Sequence, residues 1–223
     1  MFDEIDWFPV VLSLQVSSLA TIAAVLLGIP LGWFLARRTF PGKRLLEAVI
    51  LLPIVLPPTV LGYYVLRSVG RRSPLGRFIE QDLGINLIFT WKAAVLTATI
   101  VAIPLVCRSA QSSFEAIDQN LEAAARTLGR SELAIFFTIT APLAWRGLVA
   151  GTVLGFARAI GEFGATLMVA GNIPGRTQTL PIAIYDAVQA GNTQLANALV
   201  IILSVMAVAA LVLIGRIASG TRW

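Results

Sequence analysis

Long uncharged apolar runs alternate along the chain with short clusters of charged residues. Residues 7–36, 48–66 and 187–215 contain no charged side chain. A helix needs about 20 apolar residues to cross the hydrocarbon core of a bilayer. The pattern predicts an all-α integral membrane protein, with residues 1–223 forming a single transmembrane domain. Its five expected spans are residues 11–36, 45–66, 87–107, 147–170 and 193–215.

The third of these spans has the weakest signal, because Lys92 interrupts its apolar run. Lys92 follows Trp91, and both residue types are common where a helix meets the membrane surface. We therefore keep residues 87–107 as a span that begins at the interface.

Prolines and glycines inside the second and fourth predicted spans are candidate hinges. Pro53, Pro57 and Pro58 fall in the second span, and Gly161 and Gly164 fall in the fourth. A proline removes a backbone donor and bends its helix, which the membrane tolerates only where neighbouring groups satisfy the freed carbonyl. The pattern predicts helix hinges at these five positions, although a fixed bent shape explains the prolines equally well.

The composition excludes several classes of function. Only 13% of the residues are charged and 57% are hydrophobic, whereas a soluble domain has about a quarter charged. The chain has one cysteine, Cys107, and no histidine, so an intramolecular disulfide, a Cys or His zinc site and a His general base are excluded. The net charge of +5 is explained by basic residues beside the spans, and we expect no nucleic-acid partner.

The distribution of basic residues predicts the orientation in the membrane. Cytoplasmic loops are rich in Lys and Arg, and the loop after the first span is basic while the N-terminus is acidic. We expect the N-terminus outside, without a cleavable signal peptide, and the first loop, residues 108–146 and the C-terminus in the cytoplasm. The charged residues concerned are Asp3, Glu4, Asp6, Arg37, Arg38, Lys43, Arg44, Arg216 and Arg222.

One loop contradicts this orientation. It would be external, yet it is basic, and Glu80 and Asp82 offset its charge only in part. Its basic residues are Arg67, Arg71, Arg72 and Arg77.

Residues 108–146 form the longest segment outside the predicted spans. Asp118 is suited to cap a short helix, and Gly129 is suited to end it. The helical spacing places four small or apolar residues on one face: Leu121, Ala124, Ala125 and Leu128. Ser131 then caps a second element that should end at Pro142. The polar face is not a basic stripe, so we expect the helix to dock on a protein groove rather than on lipid.

Residues 122–129, followed by Ile139 and Pro142, resemble the EAA motif of ABC importer permeases. The glutamate lies one position earlier than is usual, and Ala141 replaces a common leucine. Segments 38–43, 52–62, 161–166 and 172–181 are similar to permeases of the molybdate branch. Sulfate and thiosulfate permeases share several of these segments.

The resemblance implies a type I ABC importer permease fold whose cytoplasmic loop carries a coupling helix. Its function would be the import of molybdate or tungstate by alternating access; the alternatives are a sulfate or thiosulfate permease and, outside the class, a secondary anion transporter. The residues that would couple to the ATPase are Leu121, Glu122, Ala123, Ala124, Ala125, Arg126, Leu128 and Gly129.

The resemblance also implies the partners. These are a second copy of the chain, two cytosolic ATPase subunits, an external oxyanion-binding protein and membrane lipid. The sequence has no phosphate-binding loop of the Gly-x-x-x-x-Gly-Lys-Ser/Thr type, so we expect no ATPase site here. ATP and magnesium would belong to the partner ATPase, and this chain would bind no cofactor or metal.

Two further groups are candidates for contact with the transported anion. Arg158 and Glu162 lie within the fourth span at a spacing that lets them pair; they either border the translocation path or form a purely structural ion pair. A predicted external loop offers hydrogen-bond donors to the anion or to a binding protein, or is simply solvated. Its residues are Asn172, Arg176, Thr177, Gln178 and Thr179.

Overall fold

The computed structural model describes residues 6–82 and 84–219, and every regular element within those ranges is a helix. Two π-helical turns, Phe78–Asp82 and Phe136–Thr140, connect consecutive helices. The helices are α1 (Phe8–Arg37), α2 (Lys43–Val55), α3 (Pro58–Val69), α4 (Pro74–Arg77), α5 (Trp91–Glu115), α6 (Gln119–Thr127), α7 (Glu132–Ile135), α8 (Ala141–Ile160), α9 (Gly164–Ala170), α10 (Leu180–Gln189) and α11 (Thr193–Ser219). Three residues used to predict the orientation lie outside the described residues: Asp3, Glu4 and Arg222.

Four stretches in the described ranges are long and apolar enough to cross a membrane. They are α1, α5, residues 132–160 from α7 through α8, and the first 21 residues of α11. The pair α2 and α3 supplies a fifth if the two count as one broken span. The prediction of an all-α protein with about five spans is confirmed.

The second predicted span is two helices rather than one. α2 and α3 meet at 114°, across Leu56 and Pro57. Pro57 has an extended backbone (φ −53°, ψ 136°), the conformation that a following proline imposes on its neighbour. Pro53 lies inside α2 without ending it. Of the three predicted proline hinges, the break therefore occurs at Pro57 and Pro58.

The helices of the third and fourth spans have different ends from the predicted spans. α5 begins at Trp91 and continues past Cys107 to Glu115, and α8 begins at Ala141. The prediction stopped at charged residues, but a helix continues outside the bilayer where its polar side chains find partners. Gln111 shows this, because it donates hydrogen bonds to Glu47 (2.8 Å) and Glu115 (2.9 Å).

Three smaller corrections concern the connections. The fourth span does not run unbroken to Ala170, because α8 ends at Ile160 and α9 begins at Gly164. The segment predicted as a loop over residues 171–192 contains α10. Pro142 does not end the second element, since α7, the π-helical turn and α8 follow one another without a break and Pro142 lies in the first turn of α8.

The core of the bundle is built from small residues on α1, α5 and α8. A Cβ atom on Gly32 would lie 2.7 Å from the Cys107 carbonyl oxygen, and one on Gly151 would lie 2.6 Å from the Ser109 Cβ. The alanines between α1 and α5, among them Ala24 and Ala102, are fully buried. Close approach of backbones is the usual basis of helix association in membranes.

The two broken spans lie against each other. A Cβ on Gly164 would be 2.8 Å from the Pro58 Cβ, and a Cβ on Gly62 would be 2.7 Å from the Met168 Cβ. α3 and α9 therefore run side by side in the same direction, each starting at a helix break. The break between α2 and α3 therefore lies against the break between α8 and α9.

Candidate functional site

The short helix α6 has the caps that the sequence predicted. The Asp118 side chain accepts a hydrogen bond from the Asn120 backbone N–H at 2.9 Å. At the other end Gly129 has a φ of 77°, and the Arg130 N–H returns to the Ala125 carbonyl at 3.1 Å. A left-handed glycine with such a bond closes many helix C-termini.

The predicted apolar face of α6 is divided between two environments. Leu121 and Leu128 are 48% and 82% exposed, and Ala124 is exposed beside them, whereas Ala125 is buried. The prediction that all four share one docking face was therefore wrong for Ala125, which packs against its own chain. The exposed leucines lie on a loop with polar neighbours, where an apolar surface is typical of a protein interface.

Glu122, on the buried side of α6, connects the helix to distant parts of the chain. Its Oε1 accepts hydrogen bonds from Arg37 Nη2 at 2.6 Å and from Thr140 Oγ1 at 2.8 Å. Arg37 is the last residue of α1, and both side chains of the ion pair are at least nine-tenths buried. Glu122 thus positions α6 and does not face outward. Neither Arg37 nor Thr140 was identified from the sequence, because 85 and 18 residues separate them from Glu122.

Arg126 fixes the turn between α6 and α7. It donates hydrogen bonds to both carboxylate oxygens of Glu132, and its Nη2 lies 3.7 Å from Glu122 Oε2. The hydrogen bond from Arg126 lowers the pKa of the Glu132 carboxyl, and the same bond raises the pKa of Arg126. Ala123 is exposed on the same helix. The predicted coupling residues therefore comprise an exposed apolar set and a polar set that holds the helix in place.

Arg158 and Glu162 form the ion pair that their spacing predicted. Arg158 Nη1 lies 2.8 Å from Glu162 Oε2, and the Glu162 side chain is 2% exposed while that of Arg158 is 32% exposed. Glu162 Oε1 also accepts the Ala165 backbone N–H at 2.9 Å, in the first turn of α9. The pair therefore spans the break between Gly161 and Gly164, joining the end of α8 to the start of α9. These contacts give it a structural role, and its contact with an anion stays a prediction.

The five donors of the loop that was predicted to be external lie in an ordered turn, residues 171–179. Thr177 is buried; its hydroxyl accepts the Ile173 N–H at 3.1 Å and donates to the Gly171 carbonyl at 3.3 Å. The Thr177 and Gln178 backbone N–H groups also bond to the Ile173 carbonyl. The turn is therefore closed by its own hydrogen bonds.

A second network fastens this turn to α10. Asp186 accepts hydrogen bonds from Asn172 at 3.0 Å and from Gln178 at 3.2 Å, and Gln178 also donates to Asn172 Oδ1 at 3.0 Å. Thr179 is buried at the start of α10. Among the five predicted residues, only Asn172 and Arg176 are exposed. Sequence reasoning did not identify Asp186, because nothing in its neighbourhood distinguishes it from a solvated acid.

No cluster of three or more His, Cys, Asp or Glu suited to a metal ion occurs among the described residues.

Comparison with known proteins assigns the class. Residues 28–222 match the family model of the binding-protein-dependent transport system inner membrane component. The chain therefore belongs to this family of multi-pass inner-membrane permeases, which work with a binding protein and an ATPase.

Relatives within the family are molybdenum permeases. The chain is 49% identical over 184 residues to the molybdenum transport system permease protein ModB of Escherichia coli K12, covering 82% of this chain and 80% of the relative. It is 49% identical over 178 residues to ModB of Haemophilus influenzae, covering 80% and 78%. A putative molybdenum permease of Bacillus subtilis, YvgM, is 47% identical over 198 residues, covering 89% and 87%.

A solved structure confirms the fold. An inward facing conformation of the MetNI methionine ABC transporter superposes with a TM-score of 0.75 over 100% of both chains, at 19% identity. The type I ABC importer permease fold is thereby established for this chain.

Proposed function

We propose that this chain is the membrane-spanning subunit of an ATP-driven importer for molybdate, and that residues 1–223 act as one permease domain. The observation that carries the proposal is α6. It exposes Leu121 and Leu128 to a partner while the buried Glu122–Arg37 pair binds it to α1. A helix built in this way transmits a push from the partner into the first span.

The proposed assembly has two copies of the chain, two cytosolic ATPase subunits and one external oxyanion-binding protein. The N-terminus is outside, and α6 and the C-terminus are in the cytoplasm. Each ATPase receives one α6 in a groove on its surface. ATP binding draws the two ATPases together and turns the pore outward, and hydrolysis returns it inward. ATP and magnesium bind to the ATPase subunits, and this chain has no catalytic site of its own.

The substrate assignment follows the relatives, which are named as molybdenum transport permeases. Molybdate and tungstate are tetrahedral dianions of similar size, so both are proposed substrates. Sulfate is the alternative, because it shares the charge and the shape.

The Arg158–Glu162 pair is proposed to border the path. Glu162 is fully enclosed and capped onto α9, while a third of the Arg158 side chain remains accessible. Arg158 is thus the group that a passing anion can meet, and Glu162 holds it at the break between the helices. Movement at that break would change the position of Arg158.

Uptake of labelled molybdate in cells with and without this chain tests the proposal. We expect chain-dependent uptake that excess tungstate blocks and excess sulfate does not. Loss of sulfate entry, with no chain-dependent molybdate uptake, would move the protein to the sulfate branch. Uptake that survives ATP depletion but stops with a proton uncoupler would indicate a secondary transporter instead.

A further inference from the structure

The basic loop that contradicts the predicted orientation forms a defined groove at the end of α3. The groove has a volume of about 590 Å³, and no carboxylate lines it. Its lining residues are Tyr63, Leu66, Arg67, Gly70, Arg71, Arg72, Ser73 and Pro74. Three arginines and a tyrosine thus line one concave surface.

The backbone that carries these arginines is ordered by close packing. The Ser73 hydroxyl accepts the Gly76 N–H at 2.8 Å and donates to the Ser68 carbonyl at 2.6 Å. A Cβ on Gly76 would lie 2.6 Å from the Val69 carbonyl oxygen, so α4 packs directly on the end of α3. Arg71 and Arg72 lie in this tight connection.

The positive charge of the groove is largely uncompensated. Arg71 pairs with Glu80, with 3.2 Å between Arg71 Nε and Glu80 Oε1. In the part of the chain that the structure describes, no carboxylate lies within ion-pair distance of Arg67 or Arg72. Clustered like charges repel one another, so three arginines at one groove favour a site where a bound anion compensates the charge.

The groove and the Arg158–Glu162 pair lie at opposite ends of one helix. Pro58, at the start of α3, touches Gly164 just beyond the Arg158–Glu162 pair, and the groove lies at the other end of α3. A helix of 12 residues is about 18 Å long. The groove and Arg158 are therefore two cationic positions separated by about the length of α3.

We propose that Arg67, Arg71 and Arg72 bind a tetrahedral oxyanion at the outer mouth of the permease, before the anion reaches Arg158. The inference rests on the proposed function, which places this loop outside the membrane. It also explains why the loop is basic on the side where Lys and Arg are normally few. Guanidinium groups present paired N–H donors that match the oxygens of such an anion.

Two other occupants share part of this chemistry. A phospholipid phosphate is also a tetrahedral oxyanion, and an acidic surface of the binding protein would also be attracted. The free anion is favoured because the groove is concave and three arginines concentrate positive charge there. Three arginines focused on about 590 Å³ suit a compact dianion better than an extended protein face.

The test uses the full transporter, with its ATPase subunits, reconstituted in zwitterionic lipid. Labelled molybdate and labelled sulfate are the probes, measured by equilibrium binding and then by uptake. The variant is Arg67→Gln with Arg72→Gln. Its control is Arg77→Gln together with Lys92→Gln, which removes the same charge from exposed positions that do not line the groove.

We expect the groove variant to weaken oxyanion binding by about three- to tenfold per charge removed, in low salt and less in high salt. Its uptake KM should rise by a similar factor at unchanged maximal rate, and the control should match the wild type. Equal behaviour of the two variants overturns the proposal.

Three further outcomes are informative. Competition by anionic lipid but not by free sulfate would overturn the free-anion assignment in favour of a lipid phosphate. A defect confined to uptake with the binding protein present would overturn it in favour of an acidic protein surface. Arginine-dependent oxyanion binding by a wild-type transporter that imports no molybdate would support the groove and refute the proposed function.

Discussion

The short helix α6 and the 171–179 turn use their polar residues in similar ways but differ at their surfaces. In each, buried polar side chains hold the segment to a distant element: Glu122 binds Arg37, and Gln178 binds Asp186. α6 also exposes two leucines, whereas the turn exposes Asn172, Pro174 and Arg176 and no large apolar side chain. The comparison shows that polar residues in a loop can hold a contact surface in position without forming part of that surface.

The largest expected effect comes from removing the buried charge that holds α6. Glu122→Gln leaves Arg37 buried without a counter-charge, which costs about 3–5 kcal/mol when one partner of a buried pair is lost. Thermal unfolding of the purified protein in detergent measures the loss. The matched control is Glu132→Gln, which removes an exposed partner of Arg126 and should leave the unfolding midpoint close to that of the wild type, because water screens an exposed ion pair. Equal shifts for both variants would show that Glu122 does not hold α6.

The next effect concerns the exposed face of α6. Leu128→Asp should leave folding intact, since the side chain is 82% exposed, yet weaken ATPase binding by about 2 kcal/mol, roughly 30-fold. Co-purification of the ATPase at graded concentrations measures this change. Leu75→Asp, a substitution at another exposed leucine on α4, serves as the control and should bind normally. Normal ATPase binding by the Leu128 variant would exclude this face as the interface.

A smaller effect is expected in the 171–179 turn. Thr177→Val keeps the shape of the side chain but leaves the Ile173 N–H without its partner, at a cost of about 1–3 kcal/mol. Protease sensitivity of the turn and the thermal unfolding midpoint report the change. A midpoint identical to that of the wild type would mean that the turn does not depend on this hydroxyl.

The smallest expected effect on stability concerns Arg176, in the same turn. Its substitution tests whether this side chain contacts the binding protein without also contributing to the fold. Arg176→Gln should change the unfolding free energy by no more than about 0.5 kcal/mol, because the side chain is exposed. If the turn contacts the binding protein, uptake with the binding protein present should fall severalfold while basal ATPase activity is unchanged. Unaltered uptake would remove Arg176 from the docking surface.

Much of the fold could be predicted from local pattern. The apolar runs placed five spans, and Asp118 and Gly129 marked the ends of α6, since caps depend on neighbouring residues alone. The spacing of Arg158 and Glu162 predicted their pairing because four residues make one helical turn.

The rest depended on contacts between distant segments. Nothing near Glu122 indicates that it is buried against Arg37, and nothing near Gln178 indicates Asp186. The prolines predicted a bend in the second span, but its angle of 114° depends on the packing of Pro58 against Gly164. Residue type therefore predicted the elements, and only tertiary structure showed which side chains face outward.

The Glu122–Arg37 pair has a consequence for synthesis of the chain. Arg37 leaves the ribosome 85 residues before Glu122, so the loop after α1 carries its full positive charge while the first spans enter the membrane. Lys and Arg in a short loop beside a span favour retention of that loop in the cytoplasm. Glu122, which later pairs with Arg37, is therefore synthesised only after the positive charge of the loop has influenced the direction of insertion.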